Sequence, residues 1–536
     1  MSYGTIHDMS ESVSNYRIKK AQNNIKGWYA YSFSSEPFVV SAVSTYIPLL
    51  LQQFARINGV KVHDHSMPCL SETGGDSDKC VLGLFNNRIF VDTSSFALYV
   101  FSLSVLFQTI IVISVSGMVD LWGSVKFKGR VLVWFSIVGA LSTVAISKLN
   151  DTQIYSLAGL YIVANGCFGV INVVGNSLLP IFVKDSLKCR SQGDYEPDQV
   201  DSLTTLISGR GASIGYSSAL IVQIVSMFLV ASKKGSKQDV QVAILFVGIW
   251  WFVWQLPMIW LIDDVSVTAA TTTITTTTIN GSTVTSTNSP YPDEHERLRQ
   301  SNWKAYLSYG WLSLFESFKH ARLLKDVMIF LIAWFIISDS ITTINSTAVL
   351  FSKTELHMST LNLIMISILT VINAMLGAFM IPQFLATKLR WTSSQTLMYI
   401  IIWASFIPFY GILGFFFDAF GLKHKFEMFL LAIWYGLSLG GLSAVSRSVF
   451  SLIVPPGKES TFFSMFSITD KGSSILGPFL VGLLTDKTHN IRYSFYFFFL
   501  LLMLSLPVLN CLDVKRGRKE AEELSQMLPE NERRLD

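Results

Sequence analysis

Six ionisable residues interrupt stretches of this sequence that are otherwise apolar: Glu36, Arg210, Asp339, Arg447, Asp470 and Lys471. Charge in hydrocarbon is expensive, so such residues pair with one another, line a polar path or bind a charged ligand. Glu36 and Arg210 fall about 14 Å and about 10 Å inside their spans at 1.5 Å per residue. Asp339 and Lys471 repeat that acid–base arrangement later in the chain. Two readings follow. The pairs are salt bridges that lock helices together, or they receive a zwitterion, with carboxylates facing its ammonium and cations facing its carboxylate. Glu36 ranks first as a proton carrier, because a carboxyl taken out of water holds its proton more readily.

The residues around Glu36, GWYAYSFSSEPF, supply aromatics, hydroxyls and Pro37 within one helix. Pro37 frees backbone carbonyls beside the carboxylate, as interrupted helices do at transporter sites. Tyr31 and its neighbours Tyr29 and Phe33 could wall an apolar pocket, or pack and face lipid. Asn172 and Asn176, spaced i, i+4, lie on one side of a helix, and Gln108 and Asn165 add polar faces. Hydrogen bonding between helices is the plainer role for all four. There is no G-x-S-x-G elbow, no P-loop and no H-E-x-x-H, so neither an enzyme nor a nucleotide-driven pump is expected. Transport would be driven by a gradient, with no cofactor. His63, Asp64, His65 and Cys69 crowd one loop, but no second ligand pair completes a metal site.

The elements that must position these residues are transmembrane helices. Of 536 residues, 50% are hydrophobic and only 15% charged, against about 25% charged in soluble domains. A net charge of +4 implies no nucleic-acid partner. With about 20 apolar residues needed per crossing, twelve spans are expected: 27–56, 93–119, 131–147, 154–183, 204–231 and 240–262, then 327–351, 359–386, 394–416, 427–454, 461–485 and 493–513. Lys and Arg bias the loops so that both termini face the cytosol, although Lys233, Lys234 and Lys237 run against the bias. The expected parts are a tail 1–26, a six-helix bundle 27–262, a linker 263–326, a second bundle 327–513 and a tail 514–536. The non-cytosolic loop 57–92 holds Cys69 and Cys80, a candidate disulfide. The linker reads as an uncharged, Thr-rich tether followed by an amphipathic surface helix with Trp303, Leu307, Trp311, Leu314 and Phe318 on one face. Lys515, Arg516, Arg518 and Lys519 read as a stop-transfer anchor that touches anionic membrane lipid.

The two bundles read as repeats. Tyr31 precedes Ser35 and Glu36 by the spacing at which Trp334 precedes Ser338 and Asp339, and Arg210-Gly-Ala-Ser-Ile is echoed by Lys471-Gly-Ser-Ser-Ile. The stretch Ser116-Gly-Met-Val-Asp120-Leu-Trp-Gly123 resembles the signature loop of the major facilitator superfamily, which has Asp fifth and Gly eighth. Ser116 and Leu121 depart from it, and the basic residues come late, at Lys126, Lys128 and Arg130. The resemblance implies gating roles for Asp120 and Gly123. The matching loop, 377–390, has no Asp. Three further stretches, GWYAYSFSSEPFVVSAVSTYIPLLLQQFA, LISGRGASIGYSSAL and PPGKESTFFSMFSITDKGSSILGP, resemble the autophagy-related fungal family of vacuolar amino-acid effluxers across nearly the whole chain. That resemblance implies a vacuolar membrane carrier that returns leucine and similar neutral amino acids from autophagic breakdown to the cytosol, with a proton as a conceivable companion. Two rivals stay open: a membrane scaffold that recruits autophagy partners through its linker, and a carrier of another small solute.

Overall fold

The computed structural model describes residues 3–61, 67–69, 80–84, 87–190, 196–231, 237–265, 277–279, 282–284, 310–312, 314–315, 324–358, 360–417, 419–473, 476–488 and 490–532. Eleven helices among them are long and apolar enough to cross a membrane. The first crossing is composite: α1 (Tyr3–Pro37), a π-helix (Phe38–Tyr46) and α2 (Ile47–Ile57). Pro37 cannot donate to the helical ladder, and the wider π-turn starts at the next residue. Then come α3 (Thr93–Trp122), α4 (Val125–Ile146), α5 (Ile154–Arg190) and α6 (Pro197–Ala231). Helix α7 (Lys237–Trp254) is interrupted before Pro257 and resumes as α8 (Met258–Leu261).

The second half runs through α9 (Lys325–Thr354), α10 (Thr360–Ile381) with its π-helical end Pro382–Lys388, α11 (Ser393–Leu413) and α12 (Lys425–Ile453). Within the span expected at 461–485, the described helices are α13 (Glu459–Ser473) and α14 (Leu476–Thr488). The chain closes with α15 (Ser494–Asn510) and α16 (Val514–Glu532).

Between halves, α6 packs on α10 and α12, while α13 packs on α3 and α5. Small residues permit the close approach: a Cβ on Gly209 would meet the Ala378 carbonyl oxygen at 2.6 Å, and Ser208 donates to the Ala444 carbonyl at 2.6 Å. The face that carries both termini is called the terminal face below. Opposite it, β1 (Val60–Lys61), β2 (Cys80–Leu84) and β3 (Ile89–Asp92) form an antiparallel sheet. Cys69 and Cys80 are joined there by the expected disulfide. His63, Asp64 and His65 lie outside the described residues.

Three segments depart from the expected outline. The polar segment 1–26 continues α1 as helix from Tyr3. Its Asn24 exchanges hydrogen bonds with the backbone of Asp263 at 2.8 and 2.9 Å, and Lys20 pairs with the Asp263 carboxylate at 3.0 Å. Burial pushes that carboxyl up, but the Lys20 hydrogen bond, the Asp264 N–H and the charges of Lys20 and Lys126 together outweigh it and leave the pKa below the ordinary Asp value. The Thr-rich tract, expected as a structureless tether, contains a ribbon of β4 (Thr277–Ile279) and β5 (Ser282–Val284), because β-branched Thr suits a strand. The basic stretch after the last span is a docked helix. Its Arg516 forks onto the fully buried Asp326 with two contacts of 2.7 Å, while Arg518 and Lys519 face Glu522 and Glu523. Of the surface-helix face, Trp311 and Leu314 are described. Leu314 is buried, and Trp311 donates its indole N–H to Ser114 of α3 at 3.2 Å. Trp303, Leu307 and Phe318 lie outside the described residues.

Candidate functional site

The interface between halves gathers charge from four helices. Glu36 ends α1 just before Pro37. Gly215 of α6 faces it so closely that a Cβ there would lie 3.2 Å from the Glu36 Cγ. The cations whose fields reach Glu36 are Arg447 of α12 first and Lys471 of α13 second. The guanidinium of Arg447 lies over the Trp28 ring at 5.7 Å, a stacking that suits Arg better than Lys. Trp28 is itself fixed, donating its indole N–H to the Gly175 carbonyl at 2.8 Å. Tyr31 is buried against the same Gly175 and feels both Arg447 and Glu36. Tyr216 of α6 feels the same two charges and reaches Ser443 at 3.4 Å.

The expected acid–base sets are re-sorted. Arg210 does not answer Glu36. It is exposed and hydrogen-bonds the Tyr29 hydroxyl. Nor do Asp339 and Lys471 pair. Asp339 is buried and accepts the Gly477 N–H of α14 at 2.8 Å. Lys471 lies 3.6 Å from its own neighbour Asp470, which also accepts from Ser338 of α9 at 2.7 Å. Asp470 and Lys471 side chains are 31% and 40% exposed in mid-span, and α13 points the half-buried Phe466 the same way, against Trp334 at 5.3 Å. Asn176 donates to Asn172 at 3.1 Å within α5, and Asn165 donates to Ser104 and Gln108 of α3 at 2.9 and 3.1 Å. The second pair of bonds ties two helices together, as expected.

The terminal face is shut by two cross-half contacts. Asp120, at the end of α3, accepts the N–H groups of Ser460 and Thr461 at 2.9 and 2.7 Å. These are orphan donors of the α13 N-terminus, where the helix dipole also favours an anion. Fully buried Lys128 bridges Asp120 at 3.3 Å and Glu459 at 3.5 Å. Gly123 makes the turn that follows, with φ of +60°, a conformation glycine adopts without strain. In the second contact, Asp201 of α6 accepts the N–H of Ser393 of the second half at 3.1 Å and also its hydroxyl. Thr205 and Ser448 complete that cluster at 2.8 Å.

Sequence reasoning left out Trp28, Asp201, Glu459 and Tyr216, and found Lys128, Arg447 and Asp470 without giving them individual roles. The Thr392–Gln395 capping box at the start of α11 was a readable sign that a helix N-terminus lies beside Asp201. Nothing in the spacing marks Trp28.

The sequence matches the family described as vacuole effluxer Atg22 like over residues 20–522. The chain belongs to that family. It is 90% identical over its full length, and that of the relative, to autophagy-related protein 22 of Saccharomyces cerevisiae. Autophagy-related protein 22 of Vanderwaltozyma polyspora is 59% identical, with 98% of this chain and 99% of that one covered. Among solved structures, the human organic anion transporter MFSD10 superposes with a TM-score of 0.59 at 9% identity, covering 91% of this chain and 99% of that one. The proton:xylose symporter XylE gives 0.58 at 12% identity, covering 95% and 99%. These likenesses establish the twelve-helix major facilitator fold, and family and fold together make this effluxer relative a membrane transporter rather than an enzyme.

Proposed function

We propose that the protein carries leucine and other neutral amino acids across the vacuolar membrane to the cytosol by alternating access, with the terminal face in the cytosol. The observation that carries this reading is the charge-balanced set at the interface of halves. Glu36 faces Arg447 beside Tyr31 and Trp28, and Asp470 and Lys471 stand opposite, partly open. Arg447 and Lys471 are the groups to receive a substrate carboxylate. Glu36 and Asp470 are the groups to receive its ammonium, and the Trp334–Phe466 face is an apolar shelf for its side chain. A zwitterion there completes pairs that are already electrostatically matched, so little net charge enters the membrane. Asp339 ties α9 to α14 within this arrangement, and Arg210 is an outer cation.

Asp120, Gly123 and Asp201 are then the gate on the cytosolic side. While both contacts hold, substrate reaches the site from the lumen, and they must part for release. A proton on Glu36 would accompany the substrate down the gradient of an acidic vacuole. Counterflow of labelled leucine in proteoliposomes tests this. Saturable exchange is expected in the wild type and a loss of at least tenfold in Arg447→Ala. No exchange in folded wild type overturns the leucine assignment. Exchange kept in Glu36→Gln with loss only of pH-driven accumulation identifies Glu36 as the proton carrier.

A further inference from the structure

Away from the central charges, the outer flank of the second half carries a cavity of about 480 Å³ between α10, α11 and α12. Its walls are Phe379, Phe384, Ile400, Trp403 and Leu437, and its polar members are Gln383, Lys388 and Tyr399. It sits where α10 stops being an α-helix: the π-helix Pro382–Lys388 begins at a proline that donates no hydrogen bond. The far wall is stiff, because Trp403 stacks on Trp434 at 4.0 Å and accepts its indole N–H at 2.8 Å. Phe379, Met380, Phe384 and Tyr399 are exposed, so no described part of the chain covers this flank.

The dimensions and charge point to one class of occupant. From Phe379 to Lys388 the groove runs about 14 Å along the helix at 1.5 Å per residue. That is close to one leaflet of a hydrocarbon core about 30 Å thick. Its deep end is apolar, and its mouth, at the terminal face, holds Lys388 over the Phe384 ring at 5.6 Å. Exposed Arg390 follows two residues later. No acidic residue lines the groove or occurs in 386–392. Asp201, which meets Ser393 three residues after Arg390, is already engaged by the Ser393 N–H and hydroxyl. Basic mouths between transmembrane helices suit anionic lipid headgroups.

We propose that this groove binds one anionic phospholipid from the leaflet on the terminal face, an acyl chain along the aromatic wall and the phosphate against Lys388 and Arg390. Because Arg390 lies three residues before Ser393, the bound lipid braces the loop that Asp201 holds and steadies the closed terminal face.

Full-length protein in an uncharged detergent is titrated with dihexanoyl phosphatidylserine, dihexanoyl phosphatidylcholine and glycerophosphoserine, with adducts read by native mass spectrometry. The serine lipid should bind about thirtyfold more tightly than the choline lipid, the factor equal to about 1 kcal/mol for each of two cations. Lys388→Ala with Arg390→Ala, both on the surface, should abolish that preference and leave choline-lipid binding unchanged. Leu437→Trp, which fills the groove, should weaken both lipids. Should it fail to fold, the more exposed Phe379→Trp serves the same purpose. Equal binding of the two lipids by the wild type overturns the proposal, as does a preference that survives the double substitution. Glycerophosphoserine binding as tightly as the lipid overturns it in favour of a free-anion site.

Discussion

Asp120 and Asp201 both lie in the first half and each accepts from the N-terminal residues of a helix in the second half, yet they keep different electrostatic company. Asp120 shares a buried cluster with Lys128 and Glu459. Asp201 is met only by a backbone N–H and by hydroxyls of Ser393 and Thr205, with Ser448 behind them. In one contact the acid ends α3 and meets the start of α13. In the other the acid sits at the start of α6 and meets the start of α11, which follows the loop after α10. The lesson is that pseudo-symmetry preserves the contact between an acid and a helix N-terminus while leaving open which partner carries the acid. An ionic closure is costly to break halfway, whereas a hydroxyl closure can loosen by degrees.

The sharpest way to break this comparison is Asp120→Ala. It leaves Lys128 buried with only Glu459 and strips the α13 N-terminus of its acceptor, a loss of about 3–5 kcal/mol for a half-removed buried pair. Labelling of a cysteine placed at Ser177 by an impermeant thiol reagent, from the terminal face and with Cys167, Cys189 and Cys511 replaced, should rise strongly. Asp201→Ala should cost less, about 1–3 kcal/mol, because no cation is stranded. The same labelling assay should rise more modestly, and equal rises would erase the distinction. Combining Asp120→Asn, Lys128→Met and Glu459→Gln removes the buried ions together and should regain much of the closure lost in the first variant. The smallest effect belongs to Asp263→Asn at the exposed Lys20 tie, about 0.2–1 kcal/mol at a surface pair. Since the folded pKa of Asp263 lies below its ordinary value, the tie contributes fully above that value and is lost as pH falls through the folded pKa. The wild-type and variant melting temperatures should therefore differ at pH 7 and converge as pH falls below the ordinary Asp range.

Much of this architecture was legible because the membrane makes charge rare. Glu36, Asp339, Arg447, Asp470 and Lys471 stand out in apolar surroundings without any knowledge of the fold. Cys69 and Cys80 stand out by sharing one loop. Which acid answers which base was not legible. Pairing depends on how far each helix is rotated about its axis, and one residue of rotation is about 100°, enough to exchange Arg210 for Arg447. Pro37 marks an interruption, but it leads into a π-helix that keeps the crossing continuous. A single sequence does not separate that outcome from a broken helix, because both answer to the same missing N–H. The ribbon in the Thr-rich tract was hidden by low complexity, which suppresses the alternation that marks strands.

The fork between Arg516 and Asp326 bears on how C-terminal deletions of this protein should be interpreted. A chain ended at Leu512, where the last hydrophobic segment invites a cut, deprives a wholly enclosed aspartate of its guanidinium and of the Asp513 N–H that also reaches it at 2.8 Å. Cells would meet that loss as a folding defect in the membrane and degrade the product. A missing phenotype in such a deletion would then report on turnover, and a signalling role for the tail should be sought with substitutions beyond Leu524 instead.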